Sequence, residues 1–248
     1  MKKIVLILIA LSLAFTFSQK VEAQDEFSDV MLYNHTLIDL PTAYVLDYYS
    51  YNVLTRAFSD GGVRMGLMFG VLPNLNIGAN FVVEQFIGSS NSAEFLTPTI
   101  FAKYRFFDGT ESLPGLSVGY DGQGYFYDHN RDEYIQQQKG LYLVTSKEVL
   151  TPGFNLHLGV NMPEVSDSKA YIFTGADYTI DDKVTLIAEV DNIKTSKTYR
   201  FNLGIRVDLR NNFYMDFAVR DLIRNTTLAN GIKLKPERIF QLGYQSSF

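Results

Sequence analysis

The feature that most constrains the fold of this chain is a strict alternation of apolar and polar residues over long runs. In KTYRFNLGIRVDL, residues 197–209, every second residue from Tyr199 to Leu209 is apolar. The residues between them are arginine, asparagine, glycine or aspartate. A period of two predicts a β-strand with one apolar and one polar face. Each such strand must separate an apolar environment from a polar one.

Runs of this kind predict twelve strands along the chain. Their predicted bounds are 44–53, 62–71, 75–87, 95–107, 115–124, 139–149, 153–161, 169–180, 183–191, 197–209, 212–222 and 236–248. The strand at 169–180 is apolar on both faces, so the sequence does not indicate which face points inwards.

The connections between these strands alternate in length. Those after the second, sixth, eighth and tenth strands are tight, and the one after the fourth, at 108–114, is somewhat longer. All odd-numbered connections run longer, the largest at 124–138 and 223–236. Short turns at one end and long loops at the other are typical of a transmembrane β-barrel. The Greek-key crossovers of a soluble sandwich give no reason to sort loops in this way.

Strand length and composition favour the membrane barrel over the soluble β-sandwich. Strands of 9 to 13 residues match a tilted bilayer crossing and exceed the length usual in globular sheets. In lipid only a closed sheet satisfies every backbone polar group. The chain has 16 Tyr and 19 Phe but no Trp, so Tyr and Phe must supply the interfacial belts. We predict an all-β fold, a transmembrane antiparallel up-and-down β-barrel of about 12 strands.

The first residues predict export. Lys2 and Lys3 precede an apolar run that ends at Phe17 and is too short to anchor a helix in a bilayer, and a cleavage-site pattern follows. We predict a cleaved signal peptide at 1–23, a periplasmic N-terminal segment at 24–42 and the barrel at 43–248. The sequence leaves open whether the segment at 24–42 hangs in the periplasm or plugs the barrel. The mature chain would carry 19 basic and 26 acidic residues, a net charge of −7. This excess of acid argues against a nucleic-acid partner.

The last predicted strand carries an alternating pattern that ends on an aromatic residue. Its apolar positions are Phe240, Leu242 and Tyr244, and Phe248 is the final residue. The pattern resembles the C-terminal strand of bacterial outer-membrane barrels. That resemblance implies an outer-membrane location, contact with outer-membrane lipid, and recognition of these four residues by the barrel assembly machinery.

Several segments also resemble the YjbH-like outer-membrane proteins. The segments are LIDLPTAYVL at 37–46, LPGLSVGYDGQG at 113–124 and FTGADYTIDDKVTLIAEVDN at 173–192. They are similar to the N-x-P-T-A, L-P-x-L-A-V-G and A-E-Y-D motifs of that family, with Asp39 in place of its Asn and Val190 in place of its Tyr. The resemblance implies a role in exopolysaccharide production and makes polysaccharide a candidate partner.

The polar strand faces predict a charged lumen with nearly balanced signs. The predicted lumen-lining residues are Arg64, Glu84, Lys103, Arg105, Asp121, Glu189, Arg200, Arg206, Asp208, Asp216 and Arg220. One interpretation is a narrow channel whose arginines contact an anionic or sugar-like solute. The other is an ion-pair network that fills and rigidifies the lumen. A barrel of eight strands has an interior that side chains fill, and one of sixteen strands encloses a water-filled channel. Twelve strands lie between these sizes, so both interpretations of the lumen remain open.

The longest predicted loop combines aromatic and charged residues. Its candidates for an outer binding surface are Tyr125, Tyr127, Asp128 and Arg131. Rings beside carboxylates would suit stacking and hydrogen bonding to a carbohydrate. An aromatic girdle at the membrane interface explains the same residues, and we favour it.

Residues that could carry catalysis are sparse. The three histidines are His35, His129 and His157, and neither a metal-ligand spacing nor a glycine-rich phosphate loop is present. His157 shares a polar strand face with Asn155 and Asn161, which predicts that it points into the barrel. A catalytic triad would need a serine within hydrogen-bond distance. We predict no enzyme activity, no catalytic or metal-binding residue and no cofactor.

The predicted function is therefore non-enzymatic: a narrow polar channel, or an accessory barrel for envelope exopolysaccharide. Two alternatives remain. An outer-membrane lipid-modifying enzyme predicts a Ser–His–carboxylate cluster near one rim. A structural or adhesin-like barrel predicts a closed lumen and activity through the outer loops.

Overall fold

A computed structural model describes most of the chain after residue 33. The described residues are 34–88, 93–164, 169–193, 199–209, 212–223 and 235–248, without the side chains of 125, 126 and 135–137. The predicted signal peptide lies outside these residues. Within them, no helix is both long enough and apolar enough to cross a bilayer.

The described residues form fifteen strands, twelve of which build a closed barrel. The strands are β1 (Ser50–Phe58), β2 (Gly62–Leu72), β3 (Leu75–Glu84), β4 (Glu94–Phe95), β5 (Thr99–Phe107), β6 (Gly115–Asp121), β7 (Gly124–Asp128), β8 (Glu133–Gln137), β9 (Gly140–Glu148), β10 (Phe154–Met162), β11 (Tyr171–Ile180), β12 (Val184–Ile193), β13 (Arg200–Asp208), β14 (Phe213–Arg220) and β15 (Glu237–Ser247). Barrel strands pair antiparallel with their neighbours in chain order, and β1 closes the ring by pairing with both β2 and β15. The predicted twelve-stranded barrel is confirmed.

The connections follow the predicted alternation with two corrections. The first was predicted to be long, but β1 continues to Phe58 and only the 3-10 turn Ser59–Gly61 joins it to β2. The alternation is weak near the end of β1, so its last residues did not read as strand. The other correction concerns the longest loop, where β7 and β8 form a hairpin of their own rather than irregular loop.

The two faces of the barrel wall meet different environments. On β13, Leu203 and Ile205 point outwards and are 39% and 44% exposed, whereas Asn202 and Arg206 point inwards and are buried. The same holds on β15, where Phe240 and Leu242 are exposed on the outer face. An apolar exterior around a polar interior reverses the pattern of a soluble protein and fits a barrel that lies in a bilayer.

The first strand begins later than the sequence predicts. The expected strand at 44–53 starts at Ser50, and residues 34–46 instead run through the lumen, where we call them the plug. The alternation of Tyr44, Leu46 and Tyr48 imitates a strand. However, the backbone N–H of Leu46 donates to the Asn76 side chain, 2.8 Å away, and not to a neighbouring strand. The described part of the segment assigned to the periplasm, residues 34–42, therefore lies inside the barrel.

Placing arginine on the outer face tests the membrane belt. We expect Ile205→Arg, at mid-strand on β13, to lower folding stability in lipid by about 2–4 kcal/mol. Leu209→Arg, one residue beyond the short-turn end of β13, is the control, with an expected cost of about 0–1 kcal/mol. Urea titrations in lipid vesicles measure both. Equal costs would contradict a belt centred on the middle of the strands.

Candidate functional site

The plug packs against an apolar patch inside the lumen. Its residues Leu37, Ile38, Leu40 and Ala43 are at most 3% exposed. They form one buried cluster with lumen side chains from five strands, namely Tyr142, Val144, Phe173, Ile187, Ala218 and Ile239. Apolar residues in an otherwise polar lumen indicate that the wall is shaped to hold this segment.

Polar side chains of the barrel wall satisfy the backbone of the plug. The side chain of Asn76 pairs with both the N–H and the C=O of Leu46. The peptide groups of Ala43 are held in the same way, with its N–H donating to Ser146 Oγ at 2.7 Å and its C=O accepting from Ser117 Oγ at 2.6 Å. Lys103 donates to the carbonyls of His35 and Thr42. These bonds replace those that a strand would make with its neighbours.

One carboxylate holds the tip of the plug. The tip is a tight turn in which the N–H of Leu37 donates to the C=O of Leu40 at 2.9 Å. Glu189, on β12, accepts hydrogen bonds from the next three backbone N–H groups, those of Ile38, Asp39 and Leu40, at 3.1–3.2 Å. Three N–H groups converging on one buried carboxylate form a charge-assisted anchor.

Three arginines surround the carboxylate of Asp39 at that tip. Arg56 Nη1 lies 2.6 Å from Oδ1, Arg220 Nη1 lies 3.1 Å from Oδ2, and Arg200 Nη2 lies 3.9 Å from Oδ2. Arg56 also donates to the C=O of Ile38. Burial of Asp39 by itself raises its pKa, but the positive charges of Arg220, Arg56 and Arg200 outweigh that effect and hold the pKa well below its usual range. Asp39 is therefore charged while the plug is seated.

A row of polar side chains crosses four neighbouring strands beside the plug, β13, β14, β15 and β1. Arg206 makes a two-pronged ion pair with Asp216, both N···O distances being 2.8 Å, and also donates to Asn34 of the plug. Asp216 accepts from Gln241, which accepts in turn from Arg56. The register places these residues directly opposite one another, because Arg206 faces Asp216, Asp216 faces Gln241 and Gln241 faces Arg56.

A Ser–His–Asp cluster lies under the plug near the short-turn end of the barrel. His157 Nδ1 lies 2.7 Å from Ser146 Oγ, and His157 Nε2 lies 2.7 Å from Asp177 Oδ1. All three residues are at most 3% exposed, and Tyr44 of the plug packs edge-on against the imidazole. Ser146 Oγ also accepts the N–H of Ala43, so the hydroxyl is engaged by the plug.

A cavity of about 1010 Å³, here called the vestibule, lies on the long-loop side of the plug. Three kinds of side chain line it. They are the arginines Arg56, Arg64, Arg200 and Arg220, the apolar and aromatic residues Phe58, Val82, Leu96, Tyr127 and Tyr134, and acidic or other polar residues that include Asp60, Glu84, Gln123, His129, Asp221 and Glu237. Because Arg56, Arg200 and Arg220 also hold Asp39, the guanidinium groups that seat the plug form part of the vestibule wall.

The predicted lumen residues fall into three groups. Five contact the plug directly, namely Lys103, Glu189, Arg200, Arg206 and Arg220, and Asp216 supports Arg206. Arg64 and Glu84 line the vestibule, while Asp121, at the long-loop end of β6, accepts the N–H of Gln123. Arg105 and Asp208 lie near the short-turn end, where Arg105 pairs with Asp108 at 3.2 Å. No role beyond these contacts is tested, so their function stays a prediction.

The outer-loop candidates are placed differently from a lipid-facing girdle. Tyr127 is 8% exposed, packs with Val82 and Leu96, and donates to Asp132. It therefore belongs to the vestibule wall. Asp128 ends β7, and Arg131 lies on the exposed hairpin turn. The side chain of Tyr125 lies outside the described residues.

Sequence analysis missed three groups that complete this site. Arg56 was missed because β1 was predicted to end too early. Asp39 appeared only as a departure from a family motif. Ser146 was not proposed because its position directly opposite His157 depends on the register of β9 and β10, which the sequence does not contain. The alternation of residues along β9 was the one available signal that Ser146 points inwards.

Comparisons with known proteins concern the fold alone. No protein-family model matches the chain, and no curated protein matches it. Among solved structures, the chain is similar to a KdgM porin in complex with disordered oligogalacturonate, with a TM-score of 0.48, 12% identity, and coverage of 80% of this chain and 99% of that one. It is also similar to a second KdgM porin structure, with a TM-score of 0.46, 14% identity, and coverage of 80% of this chain and 99% of that one. A triple mutant of Rhodopseudomonas blastica porin has a TM-score of 0.35 and 13% identity, with coverage of 76% of this chain and 56% of that one. The resemblance to YjbH-like proteins is not confirmed, and the chain is similar to these porins as a β-barrel.

Proposed function

We propose that the protein is a channel of the bacterial outer membrane for a sugar-like solute, and that its plug closes the channel at rest. One observation carries this proposal: the middle of the lumen is filled by a segment that precedes β1 rather than by the side chains of the strands alone. A backbone segment outside the strands can leave the lumen, whereas interlocked wall side chains cannot. Short turns at one end, long loops at the other and an apolar exterior support the outer-membrane location.

The vestibule supports a polar, ring-shaped solute. Its volume of about 1010 Å³ is at the upper end of the range for ligand pockets. Phe58, Tyr127 and Tyr134 offer apolar ring faces, and the arginines offer hydrogen-bond donors beside them. Flat apolar faces next to fixed donors suit sugar rings, which present both C–H faces and hydroxyl edges.

The enzymatic alternative gains less support. The cluster Ser146–His157–Asp177 has the residue types that a lipid-modifying enzyme predicts, but none of the three lines the vestibule. Ser146 Oγ is engaged by the N–H of Ala43, and His157 is covered by Tyr44. This arrangement favours a role in seating the plug. The exopolysaccharide and adhesin-like roles remain predictions.

Conductance across a planar bilayer tests the channel. We expect the refolded chain from residue 24 onwards to be closed most of the time, and the same chain lacking residues 24–46 to show steady current steps, because removing the plug leaves a polar lumen. A difference in migration between the unheated and the heated protein on a denaturing gel verifies that each barrel is folded. A folded, inserted barrel that stays silent without its plug would overturn the channel proposal.

A further inference from the structure

Two like charges face each other where the polar row ends. Arg56 on β1 and Arg64 on β2 are direct cross-strand partners, and both line the vestibule. Like charges directly opposite one another destabilise a sheet unless an anion lies between or beside them. Arg56 has Asp39, but Arg64 donates no side-chain hydrogen bond to any residue that the structure describes, and its Nε is buried without an acceptor. The wall thus presents a guanidinium group prepared for an anion.

Asp39 occupies an anion site that belongs to the barrel. Its carboxylate is completely buried and is held by Arg56, Arg200 and Arg220, which lie on β1, β13 and β14. Guanidinium groups stay charged at all accessible pH values. Arg220 also pairs with Glu237, but removing Asp39 without a substitute would still take one negative charge away from three buried guanidinium groups. The plug can leave easily only when another anion replaces its carboxylate.

We propose that the plug is released by anion exchange, in which a carboxylate-bearing oligosaccharide binds Arg64 in the vestibule and then takes over the guanidinium groups that hold Asp39. The inference rests on the proposed channel function and names its solute class and its trigger. Exchange conserves charge, because one carboxylate replaces another. An oligomer with several carboxylates is favoured, since it can keep one group on Arg64 while a second displaces Asp39. A neutral sugar fits the same cavity but cannot replace the charge.

The absence of cysteine from the chain allows a direct measurement. Ala43 is a plug residue that is fully buried against the barrel wall, so an Ala43→Cys thiol reacts with a maleimide only when the plug has moved. Labelling is measured on the otherwise complete protein in lipid vesicles, with a mannuronate tetramer as the anionic probe and maltotetraose as the neutral one. We expect the mannuronate tetramer to raise the labelling rate roughly tenfold and maltotetraose to leave it unchanged.

Two further variants separate exchange from general loosening. In Ala43→Cys with Arg64→Gln, we expect the response to mannuronate to be lost. In Ala43→Cys with Arg238→Gln, which removes an exposed arginine of β15 outside the vestibule, the response is retained. A labelling rate that mannuronate does not change, or that maltotetraose raises equally, would overturn the exchange. If the barrel without its plug still conducts in that case, the channel function stands and only the trigger is wrong.

Discussion

Replacing Glu189 with glutamine is expected to unseat the plug and convert a mostly closed barrel into one that opens often. The Glu189 carboxylate accepts three backbone N–H groups of the plug tip and the amide of Asn202. Glutamine offers one acceptor oxygen and turns an NH₂ group towards these donors. Each buried donor left without a partner costs about 1–3 kcal/mol.

The size of the effect follows from the number of donors that lose their acceptor. If two donors are left without an acceptor, the free energy that favours the seated plug falls by about 2–6 kcal/mol. We expect the lower end of this range, because glutamine also removes the desolvation cost of a buried charge, which offsets part of the loss. A loss of about 2 kcal/mol lowers the ratio of closed to open barrels by roughly 30-fold. The open fraction in single-channel recordings measures this ratio directly.

Glu148→Gln provides a matched control for Glu189→Gln. Glu148 is exposed at the short-turn end of β9, far from the plug tip in the register, so the same change of charge there is expected to leave the open fraction as it is. If Glu189→Gln and Glu148→Gln gave the same recordings, the carboxylate would not anchor the plug. A Glu189→Gln barrel that migrates as unfolded on a gel would show instead that the residue stabilises the wall.

Alternation predicted the barrel well because its physical cause is local. Each strand has one face towards lipid and one towards the lumen, so the polarity of each residue indicates the face on which its side chain lies. Arg206, Asp216 and Glu189 were assigned to the lumen from this pattern alone, and each is buried on the inner face. Strand ends were less certain, as for β1. The last residues of a strand extend beyond the bilayer, where the outer face need not be apolar, so the alternation is lost.

The plug could not be predicted in the same way, because its partners are distant in sequence. Tyr44 and Leu46 continue an alternation that looks like strand, yet their side-chain partners are Asn155 on β10 and Asn76 on β3. The site depends on the cross-strand register, which places Arg56 beside Arg64 and His157 beside Ser146. One sequence indicates the face of each residue but not its height along the barrel axis.

Filling the space that Gly175 leaves for the plug is expected to expel the plug by a purely steric route. Gly175 lies on the inner face of β11. A Cβ atom there would lie 2.5 Å from Leu37 Cδ1 and 3.4 Å from Leu40 Cδ1 in the plug, and 3.3 Å from the backbone oxygen of Ala188 in the wall. A single methyl group can be accommodated by rotation of Leu37. The branched side chain of Gly175→Val meets both leucines, and overpacking of this kind costs about 1–3 kcal/mol.

The cost in Gly175→Val falls mainly on the plug, because the Leu37 contact at 2.5 Å is much closer than the wall contact at 3.3 Å. Valine favours strand geometry, so the barrel keeps or gains stability while the seated plug loses its fit. We expect a higher open fraction in bilayers and faster labelling of Ala43→Cys, with or without an anionic sugar. Ala176→Val adds a similar side chain to the outer face of the same strand and is expected to leave both readouts unchanged. Faster labelling in Gly175→Val without any current would show that the plug moves but that the lumen beneath it is too narrow to conduct.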